Sequence, residues 1–213
     1  MKKEAGKKLW LAGAMLGAFV LWTLAAGHVD VQPIGPQGSA VGFATVNRWF
    51  HNLTGVHLWL YTLTDWLSLI PLGIAAGFAA QGLGQLIKRK SLWKVERGIL
   101  RLGGFYLVVM AVFFLFEKLA VNYRPILLEG KLEASYPSST TLLVLCVMST
   151  ARMRLAEQDI NPWVRVLMTA FALAMVFARL VCGVHWLTDI VGGVLLSGAL
   201  VMLYGAVSQR EFE

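Results

Sequence analysis

Long apolar runs alternate with short polar segments along most of the chain. A membrane-spanning helix needs about 20 mostly apolar residues, and six runs approach that length: 9–26, 57–80, 99–119, 141–153, 163–181 and 186–208. The fourth run is short, so it either extends N-terminally through Ser138 or lies where protein rather than lipid surrounds it. The first run is longer than the apolar core of a signal peptide, which favours an uncleaved span.

Two features separate the first two runs. Segment 30–39 carries Pro33, Pro36 and several glycines, a composition typical of a loop. Segment 41–52 has apolar residues at helical intervals, which predicts a short amphipathic helix at the membrane interface; they are Val41, Phe43, Val46, Trp49 and Phe50. The pattern therefore predicts an all-α, polytopic membrane protein with six transmembrane helices, a short interfacial helix after the first, and a single domain over residues 1–213.

Composition supports a membrane protein rather than a typical soluble domain. Hydrophobic residues make up 57% of the chain and charged residues 15%, against about 25% charged in an average globular domain. The net charge of +7 does not indicate a nucleic-acid partner, because the basic residues fall in separate clusters between apolar runs.

The basic clusters also predict the orientation in the membrane. With the N-terminus in the cytoplasm, alternate crossings put every cluster on the cytoplasmic side, as the positive-inside rule requires. The clusters are Lys2, Lys3, Lys7 and Lys8; Lys88, Arg89, Lys90 and Lys94; Arg152 and Arg154; and Arg210. Both termini are then cytoplasmic, and segments 28–56, 118–139 and 179–185 face the extracytoplasmic side of an inner or plasma membrane.

Charged residues at the ends of spans are costly unless they are paired or functional. Arg179 and Asp189 flank the turn between the last two runs, and His185 lies between them. On a helix, His185 and Asp189 share one face because they are four residues apart. A carboxylate there accepts the Nδ1 proton of the imidazole and leaves Nε2 free to attack. We interpret Asp65, inside the second run, as a structural hydrogen-bonding residue instead.

Two other segments on the same side have the chemistry of an anion site. Arg124 and Arg179 offer paired N–H donors to phosphate oxygens. Ser138, Ser139 and Thr140 offer hydroxyls and backbone N–H groups at the start of a predicted helix.

In this order, the three segments resemble the three motifs of the PAP2 phosphatase superfamily, K-x6-R-P, P-S-G-H and S-R-x5-H-x3-D. Arg179, Gly183, His185 and Asp189 fall at the spacing of the third motif, while Ala178 replaces its leading serine. The motifs correspond to residues 118–125, 137–140 and 178–189, within a core of 118–193.

The resemblance implies a mechanism that uses no metal and no cofactor. His185 is expected to attack phosphorus and form a phosphohistidine, and Asp189 is expected to orient the imidazole. Phosphate binding is expected from the other motif residues, which are Arg124, Arg179, Lys118, Ser138, Ser139, Thr140 and Gly183.

Two positions depart from the family motifs. Thr140 stands where the family has the histidine that protonates the leaving group, a contribution of about 10²–10⁴-fold in rate. Lys118 precedes Arg124 by six residues rather than seven, and Glu117 occupies the family position. One residue turns a helix by about 100°, so Lys118 contributes only if the loop after it absorbs the difference.

Three accounts of the missing histidine are open. Diphosphate substrates have a better leaving group and need less protonation. A second account is that another acid substitutes; Glu133, Glu129 and Tyr136 are the nearest in sequence. The third is that the protein binds lipid phosphates without efficient turnover.

The expected activity is hydrolysis of a lipid phosphate or isoprenoid diphosphate, with undecaprenyl diphosphate, phosphatidylglycerol phosphate and phosphatidic acid as substrates of the family type. A phosphotransferase that passes the phosphoryl group to a second lipid shares the first half-reaction. A second rival is a lipid-phosphate-binding protein or pseudoenzyme, which is motivated by Thr140 and by the altered spacing of Lys118. The clustering of charges on one membrane face disfavours a transporter. Membrane lipids are expected partners, nucleic acid is not, and the oligomeric state is left open.

Overall fold

A computed structural model describes residues 2–210, with the side chains of Lys2, Gln209 and Arg210 excepted. Lys2 and Arg210, two of the basic residues used to predict the orientation, therefore have side chains outside the described part. Within that part the fold is all-helical, as predicted. The α-helices are α1 (Lys2–His28), α2 (Ala44–Thr54), α3 (Leu58–Leu67), α4 (Leu69–Arg89), α5 (Arg97–Leu119), α6 (Ser139–Glu157), α7 (Pro162–Val181) and α8 (Leu187–Arg210).

Five helical segments are long and apolar enough to cross a membrane: Lys3–His28, Leu58–Arg89, Arg97–Leu119, Pro162–Val181 and Leu187–Ser208. The predicted fourth span, 141–153, forms α6 but is not among them. Helix α6 packs against α7 and α8 and also contacts α4 and α5. A helix surrounded by protein needs no apolar surface for lipid, and α6 accordingly buries the hydroxyls of Thr140, Thr141 and Thr150.

The predicted second span, 57–80, lies within one apolar helical segment, Leu58–Arg89, which is divided into α3 and α4. Helices α3 and α4 meet at Ser68, and Pro71 lies in the first turn of α4. Proline has no backbone N–H and cannot donate to the carbonyl four residues earlier, that of Leu67, so the helix breaks there. The break leaves α3 as a separate short helix that packs against α7.

The predicted amphipathic segment 41–52 forms α2, which fixes the start of α8. Asn47 is fully buried, and its side-chain amide donates to the hydroxyl of Thr188 at 3.0 Å and to the carbonyl of Gly42 at 2.8 Å. The Asn47 Oδ1 accepts the backbone N–H of Thr188 at 3.3 Å. An N–H group at a helix start has no partner within the helix, and α2 supplies that partner for α8.

A buried ion-pair cluster joins the end of α6 to the start of α5. Arg154 is 8% exposed, and its guanidinium pairs with Glu96, directly before α5, and with Glu157 at 2.9 Å. The sequence interpretation assigned Arg154 to membrane orientation, but this side chain holds two helices together.

Arg154→Ala is expected to destabilise the protein, because Glu96 and Glu157 lose their shared cation. Glu157 is exposed and Glu96 is partly exposed, so losing their hydrogen bonds to Arg154 should cost about 1 kcal/mol. This cost should appear as a lower melting temperature of the purified protein in detergent. Arg152→Ala is the matched control, since Arg152 is an exposed residue of the same helix. Equal losses in the two variants would contradict a structural role for the cluster.

Candidate active site

The segment between α5 and α6 folds back on itself as a short antiparallel hairpin. Tyr123 bridges to Ala134, and Leu128 bridges to Lys131 across the turn. Both central turn residues, 129 and 130, have positive φ angles, of 50° and 75°. Turns of that kind match the natural twist of paired strands.

This hairpin positions the first-motif arginine. The backbone N–H of Arg124 donates to the carbonyl of Glu133 at 3.0 Å, so the two residues are neighbours across the hairpin. Their side chains also pair, with 3.0 Å between Arg124 Nε and Glu133 Oε2. The sequence interpretation considered Glu133 as an acid and did not find this pairing, because nothing in the segment specified the register of the hairpin.

His185 lies in the tight turn that connects α7 and α8. Gly183 has a φ of 76°, and a Cβ at this position would collide with the carbonyl of Gly55. The backbone N–H of His57 donates to the carbonyl of Cys182 at 2.9 Å. Gly183 thus lets the turn pack closely against segment 55–57, and its predicted part in phosphate binding stays a prediction.

The imidazole of His185 is 4% exposed, and its Nε2 is 3.2 Å from Arg124 Nη1. A guanidinium can only donate hydrogen bonds, so this contact requires an unprotonated Nε2 and places the proton of the neutral ring on Nδ1. Arg124 Nη1 also approaches the carbonyl of Val184 at 3.4 Å. The arrangement holds the nucleophilic nitrogen against a cation.

Asp189 lies on the other side of the imidazole. Its Oδ2 is 3.7 Å from His185 Nδ1, longer than a hydrogen bond, although catalytic contacts of this kind commonly tighten when substrate binds. Oδ2 accepts the backbone N–H of Trp186 at 2.9 Å, and Oδ1 accepts the side-chain amide of Asn122 at 3.1 Å. The carboxylate therefore caps α8 as well as facing the histidine.

Burial lowers the pKa of His185 to about 4, the carboxylate of Asp189 opposes this shift, and the charges of Arg124 and Arg179 add to it. Burial dominates because an imidazolium loses hydration in a closed site. At neutral pH the ring is therefore uncharged, the form in which a nitrogen lone pair is available to attack.

The second-motif residues Ser138, Ser139 and Thr140 have three different surroundings, and Ser138 is the most enclosed of them. Ser138 is fully buried and caps α6: its Oγ accepts from the Thr141 backbone N–H at 3.5 Å and from the Thr141 hydroxyl at 3.1 Å. The backbone N–H of Ser138 donates to the carbonyl of Asp189 at 3.0 Å, which ties the second motif to the third. A Cβ on Gly193 would lie 3.0 Å from the Thr141 side chain, so this glycine permits the close approach.

Ser139 faces a polar cavity of about 290 Å³, which we call the site cavity. Its lining includes the side chains of Glu117, Arg124, Glu133, Ser135, Ser139 and His185. Thr140 faces instead a largely apolar neighbouring space of about 420 Å³, the groove, which Asp65 also lines. The two spaces adjoin at Phe113, Ser139 and Leu142, which line both.

Two predicted phosphate-binding residues, Lys118 and Arg179, do not line the site cavity. Lys118 is exposed, and the neighbouring Glu117 lines the site cavity instead. This agrees with the one-residue offset in the first motif, because Glu117 occupies the family position of the lysine. Arg179 is 2% exposed and pairs with Asp65, with 3.2 Å between Nη2 and Oδ1. Its guanidinium also lies over the ring of Tyr61, 4.8 Å from the ring centre.

Sequence reasoning missed Asn122 and the positions of Glu117 and Asp65. Asn122 is two residues before the motif arginine, but no pattern links it to Asp189. Among the residues that the structure describes, no three His, Cys, Asp or Glu side chains cluster in a way that would hold a metal ion.

Comparisons with known proteins concern the family and the fold of this chain. The sequence profile of the PAP2 superfamily matches residues 73–213. The fold is similar to the crystal structure of a transmembrane PAP2 type phosphatidylglycerolphosphate phosphatase from Bacillus subtilis, with a TM-score of 0.57, 17% sequence identity and coverage of 95% of this chain and 97% of that chain. A comparison with curated protein sequences finds no match. Because the profile covers well over half of its length, the chain belongs to the PAP2 superfamily.

Proposed function

We propose that this protein is a membrane lipid phosphatase in which His185 attacks the phosphorus of a lipid phosphate or diphosphate. One observation carries the proposal: a buried, neutral imidazole presents Nε2 to a polar cavity, 3.2 Å from an arginine that can hold phosphoryl oxygens. The site cavity adjoins an apolar groove, so a polar headgroup and an apolar tail each have a complementary surface.

The reaction proceeds in two steps. The lone pair of His185 Nε2 forms an N–P bond while the bond from phosphorus to the leaving oxygen breaks. Asp189 stabilises the imidazolium that results, since its carboxylate faces Nδ1. Water then attacks phosphorus, the P–N bond breaks, and its electron pair returns to Nε2. Arg124 and Arg179 bind the phosphoryl oxygens, and neither a metal nor a cofactor takes part.

The groove supports a lipid as the substrate. Its apolar lining comes from α4, α5 and α6 and includes Leu72, Val109, Met110, Phe114 and Leu143. A hydrocarbon tail placed there leaves its headgroup at the junction with the site cavity. Phosphatidylglycerol phosphate, the substrate class named for the Bacillus subtilis neighbour, is one candidate; undecaprenyl diphosphate and phosphatidic acid are the others.

The membrane arrangement in this proposal has six spans, with α6 as the one enclosed by the others. Its 19 residues extend about 28 Å, close to the hydrocarbon thickness of about 30 Å. Both termini are cytoplasmic, in agreement with the basic cluster between α4 and α5. The site then faces the extracytoplasmic side of an inner or plasma membrane.

A lipid-phosphate-binding protein with weak catalysis is the alternative function. Two observations favour it: Thr140 in place of the family histidine, and the Glu133 carboxylate that already occupies the Nε edge of Arg124. Turnover decides between the two, because binding alone releases no phosphate.

Purified protein in detergent is expected to release inorganic phosphate from at least one member of a lipid panel containing the three candidate substrates. His185→Ala should lower the rate by about 10⁴-fold or more, the scale of losing a nucleophile. His28→Ala is the matched control, because His28 is exposed at the end of α1 and lies away from the cavity. Release that persists in His185→Ala would contradict the proposal, and labelled phosphate found on a second lipid would indicate transfer instead of hydrolysis.

The neutral state of His185 predicts a distinct titration. In NMR spectra of protein labelled in its histidines, the His185 signal, identified by its loss in His185→Gln, should keep the neutral form down to about pH 4. Arg124→Gln should raise the pKa of His185, and Asp189→Asn should lower it further. A midpoint near 6.5 would contradict a buried, neutral ring.

The same titration predicts how stability depends on pH. In the unfolded state His185 is protonated near its ordinary pKa of 6.5, whereas in the folded state its pKa is lowered to about 4. The free energy of unfolding should therefore fall as pH decreases from 6.5 toward 4, and this part of the slope should vanish in His185→Gln.

A further inference from the structure

Arg179 is buried with part of its hydrogen-bonding capacity unused. Its Nε and Nη1 contact no hydrogen-bond partner within residues 2–210, although both atoms are inaccessible. Its Nη2 is 3.2 Å from Asp65 Oδ1. Buried donors without acceptors are costly, and an oxygen-rich anion such as a phosphoryl group would supply the acceptors that these two atoms lack. A phosphoryl group bound there is a neighbour of Asp65.

Asp65 also shares the groove with Thr140, the position at which this chain departs from the second PAP2 motif. Asp65 of α3 and Thr140 of α6 line the same groove, 75 residues apart in sequence. Ser139 and Phe113 line both the groove and the site cavity, so the two spaces are neighbours there. With phosphorus near His185 and an apolar tail in the groove, the oxygen that joins them lies at this junction. Asp65 is the acidic residue on the groove side of this junction.

We infer that Asp65 donates the proton to the leaving oxygen, a role that the histidine of the second PAP2 motif would have at position 140. This inference rests on the phosphatase function proposed above. It makes Asp65 a catalytic residue, whereas its position inside an apolar run indicated only a structural one.

The acids nearest in sequence are less suited to the task. Glu133 lines the site cavity and does not line the groove that Thr140 faces. Glu129 is exposed at the turn of the hairpin and does not line either space. The Tyr136 hydroxyl bonds Thr23 at 2.7 Å, and burial raises the pKa of Tyr136 to about 12, so its proton is not available at neutral pH.

The proton comes from the substrate itself. A phosphate monoester enters as the monoanion, and its P–O–H group passes its one acidic proton to the Asp65 carboxylate. Asp65 pairs with the Arg179 cation, and the guanidinium of Arg179 lies over the Tyr61 ring. As the P–O bond breaks, its electron pair goes to the leaving oxygen, which takes the proton from Asp65. In the second step the carboxylate accepts a proton from the attacking water.

Two soluble esters test this role. Dodecyl phosphate leaves as an alkoxide that needs a proton, whereas 4-nitrophenyl phosphate leaves as a stable phenolate that does not. Asp65→Asn should lower kcat/KM for dodecyl phosphate by about 10²-fold or more and leave the rate on 4-nitrophenyl phosphate nearly unchanged. Adding Thr140→His to Asp65→Asn should restore much of the lost rate, because it returns a proton donor to the family position.

The ratio of the two rates does not depend on how much of a variant is folded. Asp65→Glu, which keeps an acid, should retain the wild-type ratio, and Glu129→Gln is the matched control that should also retain it. An equal loss on both esters in Asp65→Asn would assign Asp65 to the positioning of Arg179 and overturn the inference, as would a selective loss in Glu133→Gln instead. Wild-type protein that hydrolyses neither these esters nor the lipid panel would overturn the phosphatase function and the inference with it.

Discussion

The geometry of the site depends on the hydrogen bonds that converge on Asp189. This fully buried residue accepts from the side chain of Asn122, the backbone of Trp186 and, through its own carbonyl, the backbone of Ser138. A buried carboxylate must be satisfied in this way or be expelled. The three motif segments are therefore joined at one residue, and the imidazole of His185 takes its position from that junction.

A second principle of the candidate site is the pairing of each motif arginine with a carboxylate. Arg124 pairs with Glu133, and Arg179 pairs with Asp65. These pairs hold the guanidinium groups in place without leaving two unbalanced cations around the histidine. In the function proposed above, a phosphoryl group would bind the remaining N–H groups of the two guanidinium groups.

The sequence predicts most of the helices and the third-motif geometry, because both are local properties. Apolar runs fix where helices form, and the spacing of His185 and Asp189 fixes that they share a face. The PAP2 resemblance is confirmed by the family match. Long-range contacts are different: the pairing of Arg179 with Asp65 and the register that joins Arg124 to Glu133 depend on how separate elements pack, which no local pattern encodes. Six apolar runs also predicted six similar spans, but α6 differs because protein surrounds it.

The enclosed position of α6 has a consequence for how the protein is made. Its threonines and charged end give the insertion machinery little reason to retain it in lipid, and the helices that enclose it include α7 and α8, which are synthesised later. In the six-span arrangement proposed above, α6 would therefore stay in the bilayer only once those partners have been inserted. The backbone N–H of Ser138, the N-cap of α6, donates to the carbonyl of Asp189 in α8. The proposed phosphate site would then form only after α8 has been made, so an incomplete nascent chain would not expose it to membrane lipids.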